Sequence, residues 1–283
     1  MKQVKIGITS FAFRHTVASG LGVPGLLEVA SQLGAEVVQL CENTNILHRT
    51  DLELGDFRRQ AEELGILLEV GISGGKAEGL TQGILAAEKL GATLLRAVVD
   101  SDGLTVEQVA EAIRKVLPQL KDGGITLCLE NHFRFFPSQI ATLVHSMADE
   151  RVRVCLDPLN SISLFKGPDE VIGQLAPFAK TAHVKDATIE RYKTGWLISG
   201  CPLGRGKLNL EEYLQSLPAA LESLLLESWM DQLAEDKETQ RKEREWVEAG
   251  LRWLKAHRDF LGTRRGRGRP LPEVENKQGV AHE

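Results

Sequence analysis

Short apolar runs rich in β-branched residues alternate along the chain with longer stretches of helical periodicity. The runs fall at 4–10, 35–41, 66–72, 92–99, 125–131, 152–158, 181–186 and 223–228, each of strand length. Apolar residues recur at helical spacing over 24–33, 51–64, 78–90, 105–120, 137–148, 168–178, 210–217 and 232–259. The punctuation agrees with this division. Leu33-Gly34, Leu64-Gly65, Leu90-Gly91 and Gly123-Gly124 each close a helical stretch just before a strand, where a glycine suits the left-handed C′ position. Thr105 and Pro168 stand where helix starts are expected.

Eight strand–helix units within about 260 residues predict an α/β fold, a (β/α)8 TIM barrel. A doubly wound sheet is the competing arrangement. It would place a glycine-rich phosphate turn after the first strand, and SFAFRHTVASG is not one. Residues 1–262 are expected to form a single barrel domain. Residues 263–283 lack apolar periodicity and read as a flexible, arginine-containing tail.

Composition narrows the setting. The chain has 283 residues, 42% hydrophobic and 26% charged, ordinary for a globular protein. A net charge of −5 argues against a nucleic-acid partner, although GTRRGRGRP at 262–270 is locally basic. Cys41, Cys128, Cys155 and Cys201 form no CxxC pair, and the N-terminus runs straight into a strand pattern. No run approaches the ~18 apolar residues of a membrane span. These features lead us to expect a cytoplasmic protein with reduced thiols and no membrane partner.

The chemistry concentrates at four strand ends. LCLENH, VCLDPLN, AHVKDA and LLLESW each place a polar group directly after an apolar run: Glu130, Asp157, His183 and Glu227. A buried carboxylate is costly unless its charge is compensated. Active sites of such barrels lie at the C-terminal ends of the strands. Three carboxylates and an imidazole there suggest one shared compensator, a divalent cation. Strand alternation turns Cys128 and Cys155 to the same side as Glu130 and Asp157. Oxygen and nitrogen ligands without thiolate suit Mn2+ or Mg2+ at least as well as Zn2+.

The ordered set Glu130, Asp157, His183, Glu227, with PLGRGKLN at 202–209, resembles the xylose-isomerase-like TIM-barrel superfamily of sugar isomerases, epimerases and dehydratases. The resemblance covers roughly residues 4–260. It implies one divalent metal ion (Mn2+, Mg2+, Co2+ or Zn2+) held by Glu130, Asp157, His183 and Glu227. It implies an isomerase or epimerase acting on a small sugar or sugar derivative through a metal-stabilised enediolate. Glu130 and Glu227 are then the catalytic acid–base pair. The alternative on the same scaffold is a lyase, dehydrating or decarboxylating a keto-sugar or a 3-oxo sugar acid.

Further residues are candidates for substrate binding. His132, Asn160 and Lys185 share faces with or adjoin the ligands, and Arg96 at the end of the fourth strand points to the same mouth as Glu42-Asn43 after the second. Lys185 either holds an anionic oxygen or forms a salt bridge at the barrel mouth. Arg205, in a Gly-Arg-Gly turn, either clamps an anion or sits on the surface. Arg96 either reaches the mouth or serves as a structural hydrogen-bonder. Phe133, Phe135, Phe136 and Trp196 form a lid, pack within loops, or meet another subunit.

Three positions depart from the pattern of ketohexose 3-epimerases. Asn160 stands where those enzymes have His, Phe136 where they have Glu, and Ile189 where they have Arg. The loop 185–206 looks instead like that of members acting on oxidised sugars or sugar acids. DNA-repair endonucleases share the barrel but require three zinc ions and more histidines than the seven present here. Barrels of the superfamily are often dimers or tetramers, so a homo-oligomer is compatible with the chain.

Overall fold

The computed structural model describes residues 3–263. Eight parallel strands close into a barrel: β1 (Lys5–Thr9), β2 (Val37–Leu40), β3 (Leu67–Ser73), β4 (Leu94–Val98), β5 (Thr126–Glu130), β6 (Val152–Leu156), β7 (Ala179–Val184) and β10 (Ser223–Leu226). Each pairs with its neighbour in chain order, and β10 closes the ring on β1, with Ile6 opposite Leu224. Between β7 and β10 an antiparallel hairpin intervenes, β8 (Asp186–Tyr192) and β9 (Gly195–Cys201). The sequence pattern gave no sign of this hairpin, because its strands carry little apolar alternation.

The helices are α1 (Arg14–Ala18), α2 (Gly22–Gln32), α3 (Asp51–Leu64), α4 (Ala77–Leu90), α5 (Val106–Asp122), α6 (Pro137–Met147), α7 (Pro168–Leu175), α8 (Leu210–Ser216) and α9 (Asp236–Ala256). Their apolar stripes meet the outer face of the barrel. In α5, Val109, Ile113, Val116 and Leu120 recur at helical spacing and are all buried. Thr105 caps α5 through a reciprocal pair with Gln108, and Thr50 does the same for α3 with Glu53. Gly34, Gly65, Gly91 and Gly124 all hold positive φ between 66° and 74°, the left-handed stops their positions predict.

The barrel interior is unusual in its polarity. Interiors of this architecture are usually layered with branched aliphatic side chains. Here Thr9, Gln39, Glu69, Arg96, Glu130, Asp157, Thr181, His183 and Ser223 are all buried. Cys128 and Cys155 pack with Leu94 as a small cluster separate from the main core. Burying so many polar groups is tolerable only where they satisfy one another. Among the described residues, no helix is long and apolar enough to cross a membrane. The arginine-rich stretch expected to form a tail lies almost entirely outside the described residues.

Candidate active site

Four consecutive strand ends bring Glu130, Asp157, His183 and Glu227 together around one imidazole nitrogen. Nδ1 of His183 lies 3.3 Å from Glu130 Oε1, 3.7 Å from Asp157 Oδ2 and 3.3 Å from Glu227 Oε2. The ligating atoms of Asp157, His183 and Glu227 all fall within 4.8 Å of one another, and Glu130, Cys155 and His183 form a second such set. All five residues are buried.

Each carboxylate turns one oxygen to His183 and commits the other elsewhere. Glu130 Oε2 pairs with Arg96 Nε at 2.5 Å, while its Oε1 accepts from Asn160 Nδ2 at 2.8 Å. Glu227 Oε1 pairs with Lys185 Nζ at 2.5 Å, and Thr9 Oγ1 donates to its Oε2 at 3.5 Å. Asp157 Oδ1 accepts the backbone N–H groups of Leu159 and Asn160, both at 2.9 Å. Its Oδ2 pairs with Lys185 at 2.7 Å. The Asp157 segment is fixed from the side by Asn131, which exchanges two hydrogen bonds with the Asp157 backbone. Tyr213 donates to the His183 carbonyl at 2.8 Å and anchors the end of β7.

The electrostatics follow from this packing. Burial opposes charge on Glu130, but Arg96 and then His183 outweigh it and hold the carboxyl well below the usual carboxylate range. Burial likewise opposes charge on Asp157, and Lys185 reverses the effect. Burial disfavours a charged Lys185, yet Asp157, Glu227 and Glu130 push its pKa above the ordinary lysine value. Burial raises the Cys155 thiol to about 11, against the opposing pull of His183.

His183 Nδ1 is the informative atom. It is buried, ringed by three carboxylate oxygens, and has no hydrogen-bond partner among the described residues. Such an atom is costly unless something else satisfies it. A single divalent cation bound to Nδ1 and the three facing oxygens fits both the donor set and the orphaned nitrogen.

The other candidates divide. Arg96 reaches the site and bridges Glu130 to Glu42, the latter at 2.6 Å. A cavity of about 170 Å³ opens beside this clamp, lined by Glu42, Asn45, His48, Gly71 and Ser73 among others. Asn160 and Lys185 are both within the cluster, joined by a 3.2 Å hydrogen bond, and Lys185 lies 4.8 Å from the ring centre of Trp229. His132 makes no bond to the four: its Nδ1 is 4.0 Å from Asp100 Oδ1. Arg205 is exposed, and its side chain forms no ion pair among the described residues. Its turn is instead held by Asp186, whose carboxylate accepts N–H groups from Gly204, Gly206 and Leu208. Phe135 is buried, so it belongs to the core, whereas Phe133, Phe136 and Trp196 are exposed. The sequence reading missed Thr9, Gln39 and Glu69. The signal for Gln39 was present, an uncharged amide inside the apolar run AEVVQLC.

Comparison with known proteins places the chain in a family. The family described as Xylose isomerase-like TIM barrel matches residues 27–257. The chain belongs to this family. A 3-oxo-isoapionate decarboxylase from Pectobacterium atrosepticum is 29% identical over 259 residues, spanning 88% of the chain and 94% of that protein. Among solved structures, a D-psicose 3-epimerase with D-fructose superposes with a TM-score of 0.70 at 16% identity, covering 92% of this chain and all of that one. A probable 3-DHS dehydratase from Bacillus anthracis superposes at 0.66 with 14% identity, covering 89% and 99%. The fold of this chain is thus shared with an epimerase and a probable dehydratase.

Proposed function

We propose that this protein is a divalent-metal-dependent lyase that decarboxylates a 3-oxo sugar acid. The observation that carries this reading is the pair of buried cations on the two glutamates. In an epimerase one glutamate removes the α-proton and the other returns it. Here the free oxygen of Glu130 is occupied by Arg96 and that of Glu227 by Lys185, each at 2.5 Å. A carboxylate held ionised by a guanidinium is a good ligand and a poor base. Decarboxylation needs no base at carbon; it needs an electron sink.

A bound divalent cation supplies Lewis-acid polarisation of a carbonyl oxygen. Lys185, its three N–H groups already held by Asp157, Glu227 and Asn160, supplies a fixed positive charge beside the same position. As the bond to the carboxylate carbon breaks and CO2 leaves, the electron pair moves toward the 3-oxo oxygen. Lys185 can stabilise the charge that develops there. A proton from solvent then completes the new C–H bond. Charge balance supports an anionic substrate. The three carboxylates alone leave a divalent cation over-neutralised, and Arg96 with Lys185 reverse that sign. Asn160, Phe136 and Ile189 point the same way, since each replaces a group that ketohexose epimerases use. The similarity to a 3-oxo-isoapionate decarboxylase supports the same substrate class.

The deciding experiment incubates the Mn2+-loaded protein with 3-oxo sugar acids and with ketohexoses in D2O. CO2 release and a product that has lost CO2 and carries one carbon-bound deuterium are expected from the acids. Deuterium exchange at one carbon of a ketohexose, without CO2 from any acid, would instead establish the isomerase reading. Glu227→Gln should abolish either activity.

A further inference from the structure

The polar column beneath His183 has a directional logic that the ligands themselves do not explain. Nε2 of His183 lies 3.1 Å from Gln39 Oε1. The Gln39 amide nitrogen donates to Glu69 Oε2 at 3.0 Å. The thiol of Cys41 also points at Gln39 Oε1, at 3.5 Å. Gln39, Glu69 and His183 come from β2, β3 and β7, and all three are buried. An amide has one donor end and one acceptor end. Glu69 takes the donor end and Cys41 offers a hydrogen to the acceptor end, so both neighbours hold the oxygen toward His183. That oxygen can only accept, which requires the His183 proton on Nε2. The lone pair is then on Nδ1, the atom that faces Glu130, Asp157 and Glu227.

We infer that Gln39 is a positioning residue that fixes the tautomer of His183 for cation binding through Nδ1, and that Glu69 sets the direction of Gln39. The inference rests on the metal-site reading above. It extends that reading to two residues on the opposite side of the barrel, neither of which touches the cation. Partners of this kind typically change metal affinity by 10–100-fold when removed. Without Glu69 the Gln39 amide is free to turn its nitrogen toward His183. That arrangement demands the proton on Nδ1 and sets it against the cation.

The test uses the full chain labelled with 15N-histidine. Wild type loaded with diamagnetic Zn2+ should show a protonated Nε2 and a metal-shifted Nδ1 for His183. Gln39→Met keeps the volume and removes the strong acceptor; once circular dichroism shows it folded, its Mn2+ Kd should weaken at least about tenfold. Glu69→Leu should weaken binding in the same direction, while Glu69→Gln, which retains an acceptor oxygen, should restore near-wild-type affinity. Wild-type Mn2+ affinity in folded Gln39→Met, or coordination through Nε2, would overturn the inference while leaving the metal site standing. Should Gln39→Met fail to fold, the wild-type spectrum and the Glu69 pair decide. A wild type that binds neither Mn2+ nor Zn2+ would overturn the metal reading and this inference with it.

Discussion

Lys185 is the residue whose role separates the two chemistries. It is fully buried, yet it carries a charge that Asp157 and Glu227 sustain. Lys185→Met should bind Mn2+ but lose at least about a hundredfold in decarboxylation rate, the scale of one preorganised charge stabiliser. An unchanged kcat would remove Lys185 from the chemistry. Arg96 plays a more structural part. Truncating one partner of a buried pair leaves the other charge stranded, so Arg96→Met should cost about 3–5 kcal/mol in a denaturant melt. Added Mn2+ should recover part of that loss by engaging Glu130. The four strand-end groups were legible from sequence because each interrupts an apolar run at the same point of a repeating unit. Gln39 left only the trace of an amide in an apolar run and Glu69 less, since a single amide or acid inside a strand reads equally well as solvent-facing. Their meaning appears only when β2, β3 and β7 meet across the barrel.

At the scale of elements, the hairpin β8–β9 is the pair of strands that lies outside the closed barrel. It begins at Asp186, directly after Lys185, so the lysine faces inward while the next carboxylate pins the loop outside. Gly206 makes that arrangement possible: a Cβ there would lie 2.0 Å from Asp186 Oδ1 and 2.5 Å from the Ala187 carbonyl. Gly206→Ala should therefore destabilise by about 1–3 kcal/mol and lower kcat by disturbing the neighbouring Lys185. A melt and rate within error of wild type would show that the loop yields freely. The eight barrel strands were readable because they are buried on both sides, which writes them as nearly continuous apolar runs. The hairpin follows a different rule. Its outer half is exposed on both faces, with Trp196 at 68% and Ile189 at 42%, so neither periodicity nor burial marks it in the sequence. A groove of about 650 Å³ lies between it and the 97% exposed Phe165.

At the scale of the molecule, the proposed metal would compete with protons for one site. Burial disfavours charge on His183, but the Cys155 sulfur, Glu130 and Glu227 outweigh it, and its pKa stands well above the ordinary imidazole value. A raised folded-state pKa means that this charge stabilises the metal-free fold fully below the unfolded pKa of about 6.5. The contribution is lost as pH rises through the folded value. A cation at Nδ1 must displace the same proton. Mn2+ affinity should therefore tighten with pH below that folded value, by about tenfold per unit for one proton released. Calorimetric titration between pH 6 and 8 in two buffers of different ionisation enthalpy measures both quantities; a pH-independent Kd without proton release would contradict the assignment. The pairing of Arg96 and Lys185 with the carboxylates has one more consequence. With His183 protonated, an imidazolium and two buried cations face the three carboxylates, so on the metal-dependent reading the barrel would not need the ion to reach or keep its shape. On that same reading, cells short of the metal would accumulate finished, durable and idle protein, and a rise in free ion would awaken that reserve at once, with no new synthesis.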